Sequence, residues 1–370
     1  MKMIKARYIA FCATILIFGA CSERMIDPVT PIPGSSRSYI FFESEVEDPG
    51  ETKVSLLTEE DNIPSFGVIG YWGSVSLFGA EGSDATDFKY ADGIAEVTYL
   101  EASQAYIYNK LAQWQDGSTN HDFYAFYPYS LNDKVEHQKD GEINPYILYT
   151  QPTSNDDTMV DLLTTKESIS KTSDNIVDLT FHHRLWALDV KITNNQTLGV
   201  TSDGDRDENP KITITGVKVI VEQFPVKAYI YLDHDQEAEL YKENNIVVLS
   251  ESTTYTLPLK SEDGDELDKD ESEIYGSLLF IPVDNKVFKY KLEITFQDVA
   301  GSDTFTSELR TSDVKFEEGK KYILTVSKGN DTFIVGKYED PDGPTSEDGT
   351  SGGEFEIGHW RDVSVTHTFN

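Results

Sequence analysis

The chain has 370 residues, 38% of them hydrophobic, and carries 65 Asp and Glu against 31 Lys and Arg, a formal charge of -34. Phosphate recognition needs a basic footprint, so this balance argues against nucleic-acid binding and suits a water-exposed exterior that repels other anions. Abundant Tyr (20) and Phe (19), together with many Thr, Val and Ile, favour strands, and the length allows two ordinary domains.

Lys2, Lys5 and Arg7 precede an apolar run from Tyr8 to Ala20. The run is too short to cross a bilayer, which takes ~20 apolar residues, and has the form of a signal peptide. It ends Ile17-Phe18-Gly19-Ala20-Cys21-Ser22. Small residues directly before a cysteine resemble the bacterial lipobox. The resemblance implies cleavage between Ala20 and Cys21 and lipidation of Cys21. Ser22 is not the aspartate that resembles an inner-membrane retention signal, so an outer-membrane address is expected. Several acyl chains anchor stably where one binds only marginally. Only one other cysteine exists, Cys12, and it leaves with residues 1–20. The mature chain then holds no thiol for a disulfide, a redox couple or a zinc-thiolate site, and must build its own core.

Residues 21–37, rich in Pro and Ser, read as a tether. Strands are expected at Tyr39–Phe42, Val75–Phe78, Phe123–Tyr127, Tyr146–Tyr149, Val177–Thr193, Lys211–Val221, Ala228–Leu232, Ile246–Leu249, Leu278–Val283, Val287–Phe296 and Tyr322–Val326. Clusters of Asp, Asn, Gly, Ser and Pro separate them. In Val287–Phe296 the residues Phe288, Tyr290, Leu292, Ile294 and Phe296 alternate with polar ones, giving one buried and one wet face. Two segments change phase: Leu179, Phe181, His183 and Leu185 give way to Leu188, Val190 and Ile192, and Ile212 and Ile214 give way to Val217, Val219 and Val221 after Gly216. A bulge re-aims side chains in this way; burial on both faces would give a similar pattern. No long stretch has a helical period.

Many short strands without alternating helices predict an all-β fold of two antiparallel β-sandwich domains in tandem. The turn cluster Thr172–Asn175 suggests domains at 38–173 and 174–338. An acidic, Gly-rich linker follows at 339–353, and a terminal segment at 354–370. Within it Val363, Val365 and Phe369 occupy alternate positions, the pattern of a short amphipathic strand. Such a strand closes its own sandwich or is donated to a neighbour.

No GxSxG, HExxH, P-loop or GxGxxG sequence occurs, so no catalytic residue and no cofactor is assigned. His182 and His183 are adjacent and would point to opposite faces of a strand, poor geometry for one metal. His183 shares a face with Phe181 and Leu185 and reads as a hydrogen-bonded core histidine. Asp203, Asp205 and Asp207, and the run beginning Asp263 and Asp265, invite a calcium reading. The EF-hand loop needs Gly and Glu at its sixth and twelfth positions. Here those places hold Glu208 and Ile214, then Asp268 and Ile274. Both runs read as solvated loops, and no metal ligand is assigned.

Several segments together resemble the fimbrillin-like proteins of Bacteroidales, the subunits of type V pili. Phe123-Tyr124-Ala125-Phe126-Tyr127-Pro128-Tyr129 is similar to an aromatic strand ending in Tyr-Pro. Asp161-Leu162-Leu163 is similar to a short Asp-Leu-Leu element, Leu179-x-Phe181-x-His183-x-Leu185 to a Leu-x-Phe-x-His-x-Leu strand, and Phe316-x-x-Gly319-Lys320-x-Tyr322 to a penultimate signature. Trp186 departs from that pattern, where a small residue is usual. The resemblance spans most of residues 38–335. It implies transthyretin-like sandwiches, export as a lipoprotein, proteolysis after an arginine (Arg24 or, at the tether–strand junction, Arg37) and assembly with other subunits or with itself by strand exchange. An alternative is a monomeric surface lipoprotein that binds a glycan or a host protein through aromatic residues such as Trp114, Tyr124 and Tyr127.

Overall fold

The computed structural model describes residues 40–46, 63–78, 93–102, 105–108, 112–115, 120–139, 142–152, 159–171, 175–197, 199–200, 206–282, 288–298, 301–311, 315–330, 332–335 and 355–358. Their regular structure is almost entirely strands, beside one short 3-10 turn at Tyr129–Lys134. Among the described residues no helix is long and apolar enough to cross a membrane.

An eight-stranded sheet gathers the N-terminal half. Its order is Phe41–Val46, Ile176–His183, Leu163–Ile169, His121–Tyr127, Ser65–Trp72, Ile94–Leu100 and Ala105–Tyr108, with Val75–Ser76 also beside Ser65–Trp72. Its pairs are antiparallel except the first, which is parallel. The two ends of the sheet approach each other: the Ile40 N–H donates to the Ala112 carbonyl at 3.1 Å, and the Tyr108 hydroxyl donates to the Ile40 carbonyl at 2.7 Å. The curled sheet encloses a core of Phe42, Phe66, Val68, Phe123, Val177 and Phe181.

The C-terminal half has two facing sheets. One has the order Ser272–Phe280, Trp186–Asn194, Lys321–Lys328, Phe333–Val335, and Phe355–Gly358 also pairs with Lys321–Lys328. The other is ordered Ser252–Leu257, Ile212–Glu222, Lys289–Asp298, Gly301–Thr306. In Lys289–Asp298 the residues Tyr290, Leu292, Ile294 and Phe296 are buried and alternate with partly exposed polar ones, as the two-residue side-chain period of a strand requires. On the wet face Lys218 meets Glu293 at 2.6 Å and Lys291 meets Glu222 at 3.1 Å. Such exposed cross-strand pairs contribute at most about 1 kcal/mol each. The register of Ile212–Glu222 on Lys289–Asp298 slips between Ile214 and Gly216, the bulge that the change of phase there suggests.

The phase change after Leu185 has another cause. Ile176–His183 belongs to the eight-stranded sheet, and Trp186–Asn194 belongs to the next one. The chain therefore changes sheets at Arg184 and Leu185, beyond the Thr172–Asn175 turn cluster, and the side chains re-aim because they serve two cores.

A four-stranded sheet, ordered Glu239–Leu240, Lys227–Tyr231, Glu142–Thr150, Val135–Lys139, takes strands from both halves. Tyr231 lies opposite Tyr146 and Lys227 opposite Thr150. Its inner face joins a third core, in which Ile147 and Ile230 pack with Tyr124 and Phe126 of the first sheet and with Leu185 and Ala187 of the second half.

Candidate functional site

Phe41–Val46 is the strand at one end of the eight-stranded sheet. Its backbone pairs with Ile176–His183, in register from Phe41 opposite Ile176 to Val46 opposite Phe181. Alternation sends Ile40 and Phe42 inward. The Phe42 ring sits 5.4 Å from Tyr108 and 5.6 Å from Phe123, both edge-on, and 6.4 Å from Phe78. Edge-on contacts of this kind add about 0.5–1.5 kcal/mol each beyond area burial. The Ser44 hydroxyl donates to the Tyr106 hydroxyl at 2.6 Å. Burial pushes the Tyr106 and Tyr108 phenols above their usual range. At its start the Phe41 N–H donates to the carbonyl of Asn175, whose φ of 67° makes the turn into Ile176–His183. Without Phe41–Val46 the sheet would present an unpaired backbone edge beside a groove lined by Tyr108, Phe123, Val177 and Phe181.

A second sheet edge lies near the other end of the chain. Phe355–Gly358 pairs antiparallel with Leu324 back to Lys321, on the side of that strand opposite Trp186–Asn194. It lies just ahead of the amphipathic stretch: Val363, Val365 and Phe369 fall outside the described residues, as do Ala20, Cys21, Arg24 and Arg37.

Between the halves lies a buried polar junction. Asp161 and His183 come from separate segments and meet at 2.8 Å, with side chains 0% and 2% exposed. His183 is thus a core residue held by a carboxylate. Arg184, fully buried, reaches Glu318 at 2.7 Å and donates to the Thr164 hydroxyl at 3.1 Å and to the carbonyls of Asp233 at 3.3 Å and Gln236 at 2.5 Å. Burial lowers the Arg184 affinity for its proton and raises that of Glu318, and each partner's charge opposes the effect. Lys166 pairs with Asp233 at 2.7 Å. The rings of His182 and His234 stack at 4.0 Å, and burial, each other's charge and Arg184 hold His182 down to about 4. Histidine 182 faces this junction while His183 faces the core, the opposite orientation that adjacency in a strand imposes. Sequence patterning did not single out Arg184, Asp233 or Glu318; nothing in a linear pattern distinguishes them from the many other charges.

The acidic runs are described only in part. Asp203 and Asp205 lie outside the described residues, and Asp207 sits in the short strand Arg206–Asp207. Both Asp265 oxygens accept backbone N–H groups, from Lys260 and Ser261 at 3.0 Å, so this carboxylate builds its own turn. Among the described residues no group of three or more His, Cys, Asp or Glu is placed to hold a metal ion. Trp114 and Tyr124 are buried, and Tyr127 is half-buried, which leaves the glycan-stacking alternative without most of its motivating surface.

The motifs converge in three dimensions. Tyr127 lies opposite Leu163, joining the aromatic strand to the Asp-Leu-Leu element. The Arg184 N–H donates to the Leu162 carbonyl, and the Gly319 N–H to the Leu185 carbonyl. Trp186 stacks on Phe316 at 4.1 Å and meets Tyr322 edge-on at 5.7 Å, so the penultimate signature packs on the residue after the histidine strand. The profile of the fimbrillin-like family matches residues 73–340. The chain belongs to the fimbrillin-like family.

Solved structures similar to this fimbrillin-like chain include a fimbrial protein from Bacteroides vulgatus, at 18% identity and a TM-score of 0.53, covering 88% of this chain and 99% of that one. A candidate cell adhesion protein from Bacteroides uniformis matches at 15% identity and a TM-score of 0.49, covering 89% and 100%. No curated protein matches the chain. Family membership supports a fimbrial or adhesive role at the cell surface. Within this fimbrillin-like fold Trp186 occupies the centre of the C-terminal core, with its indole N–H donating to the Ile281 carbonyl at 2.9 Å.

Proposed function

We propose that this protein is a fimbrial subunit or accessory subunit that is exported as a lipoprotein on Cys21 and assembles by strand exchange. The observation that carries this reading is the edge strand Phe41–Val46, which among the described strands is paired with Ile176–His183 alone, while Phe42 plugs the core. A subunit that gives up such a strand exposes a sheet edge and an apolar groove, the substrate of β-augmentation. Arg37 lies four residues before Phe41, and the next arginine in the chain is Arg184. Cleavage after Arg37 therefore leaves Phe41–Val46 attached but makes it a chain end, free to withdraw from its groove. Cleavage after Arg24 leaves it further inside the chain. The replacement strand would be a neighbour's Arg361–Asn370, whose Val363, Val365 and Phe369 repeat at the two-residue spacing of Ile40 and Phe42.

Protein purified from its native cells tests this reading. The expected result is a mature chain beginning at Ser38 that runs as a ladder of polymers on a denaturant-free gel, derived from a precursor that takes up a fatty-acid analogue through Cys21 and loses the label in Cys21→Ser. Protein that is monomeric, begins before Arg24 and labels equally in both forms overturns it.

A further inference from the structure

The five-stranded sheet of the C-terminal half buries an amine and a carboxyl group side by side. Asp189 lies on Trp186–Asn194 and Lys321 on the parallel neighbour Lys321–Lys328, where Lys321 is opposite Ala187 and Ile323 opposite Asp189. Residues two apart on a strand share a face, so the two side chains project on one side of the sheet as diagonal neighbours. The Lys321 Nζ is 3.6 Å from the Asp189 carboxylate, and the two side chains are 8% and 4% exposed. On the other flank Ser277 of Ser272–Phe280 donates its hydroxyl to Oδ1 of the same carboxylate. Gly276 leaves the space: a Cβ there would collide with the Asp189 carboxylate.

We propose that Asp189 and Lys321 are joined by an intramolecular isopeptide bond. The step is a condensation without any change of oxidation state. A proton passes from the ammonium to the carboxylate, the neutral amine adds to the carboxyl carbon, and the carboxyl group loses one oxygen with two protons as water. The N–C bond formed and the C–O bond broken balance, and no oxidant or activating cofactor is consumed. Three features favour it. Burial destabilises both charged forms, and an amide removes the cost of keeping two ions out of water. Consistent with this, burial holds the Asp189 carboxyl above its usual range, against the opposing influence of Lys321 and Ser277. The Ser277 hydroxyl is placed to polarise the carbonyl that receives the amine and to stabilise the charge developing on its oxygen. The fold itself supplies proximity, which is worth effective molarities of up to ~10⁵–10⁸ M in well-oriented intramolecular reactions.

The positions give the bond a mechanical consequence, which rests on the fimbrial reading. Trp186–Asn194 is the first strand of the C-terminal half and Lys321–Lys328 its last long strand. Tension entering before Trp186 and leaving after Val335 would cross from one to the other through the bond and bypass the strands between.

Tryptic digestion of the denatured full-length chain decides the chemistry without any polymer being formed. The expected product is a branched peptide joining residues 185–191 to residues 321–328, lighter than the two separate peptides by one water and uncut after Lys321. Lys321→Arg should release residues 185–191 as a linear peptide, and Ser277→Ala should lower the fraction joined. Recovery from the wild-type chain of linear 185–191 and of 322–328, with full cleavage after Lys321, shows an ordinary buried ion pair and overturns the proposal. That outcome leaves the fimbrial reading untouched, and a monomeric protein carrying the branched peptide would separate the two the other way.

Discussion

Arg184 shows how much one side chain can bind together. Its guanidinium is satisfied by groups from the N-terminal sheet, from the loop after Lys227–Tyr231 and from the turn holding Glu318. Removing one member of a buried charge pair leaves the other uncompensated, at a cost of about 3–5 kcal/mol. Arg184→Ala is expected to destabilise the chain by about that amount in urea unfolding, and Arg184→Met with Glu318→Gln by clearly less. Equal losses would show that packing, not charge pairing, dominates the junction. The stacked His182 and His234 add a dependence on pH. Burial is the largest influence on both and lowers them; His182 falls from 6.5 to about 4. Its folded state thus binds the proton less readily than the unfolded chain. The associated stability is complete above about pH 6.5 and is lost as pH falls toward about 4. His182→Asn with His234→Gln should flatten the fall in urea midpoint over that window; an unchanged slope would refute the assignment. Lys166, Arg184, Asp233 and Asp235 also face this pair, and their charges stay in place in the double variant.

At the scale of elements, alternation was readable where one face is wet and failed where both faces are covered. Lys289–Asp298 follows its two-residue period in both sequence and burial. Ser65–Trp72, the strand beside His121–Tyr127, is buried over Phe66–Tyr71 and so presents no alternation. Its glycines also disguise it. Added Cβ atoms would strike the Phe126 ring at Gly67 and lie 2.9 Å from the Phe78 ring at Gly70, so the close approach of neighbouring rings requires both. Ser252–Leu257 does alternate, with Thr253, Tyr255 and Leu257 buried, but Thr and Ser fill most of its positions and hide the amphipathic signal. Leu163–Ile169 is not among the expected strands; of it, the sequence reading singled out only Leu163, as the end of the Asp-Leu-Leu element. Phe355–Gly358 bears directly on what the C-terminal segment does. It pairs with a stretch that no other described strand covers on that side, so deletion of residues 339–370 should lower the melting temperature, by about 2–4 °C for each ~1 kcal/mol lost. A truncated chain that melts like the full one would show that this pairing contributes nothing and leave the whole segment available for donation.

For the whole molecule, sequence and structure settled different questions. Composition and spacing established a strand-built, acidic chain, and the resemblance of its ordered motifs was enough to suggest the family that the profile over residues 73–340 shows. Those properties are local: strand propensity, turn residues and short motifs act within a few neighbouring positions. The partnership of the halves was not legible. Glu142–Thr150 pairs with Lys227–Tyr231 across the turn cluster expected to divide the chain, and Ile176–His183 completes the first sheet instead of beginning the second half. The phase change after Leu185 was visible as a pattern, yet a bulge, double burial and a change of sheets write the same pattern. Likewise Asp161 with His183, Arg184 with Glu318, and Asp189 with Lys321 are ordinary charges in a chain that has many, and distance alone makes them pairs. The sequence by itself determined that the chain is built of strands and, as in Lys289–Asp298, which face of a plainly alternating strand is wet. Tertiary structure decided which strands share a sheet and which ionisable side chains become neighbours, because contacts between distant residues depend on how whole faces bury one another, and no linear spacing encodes that choice.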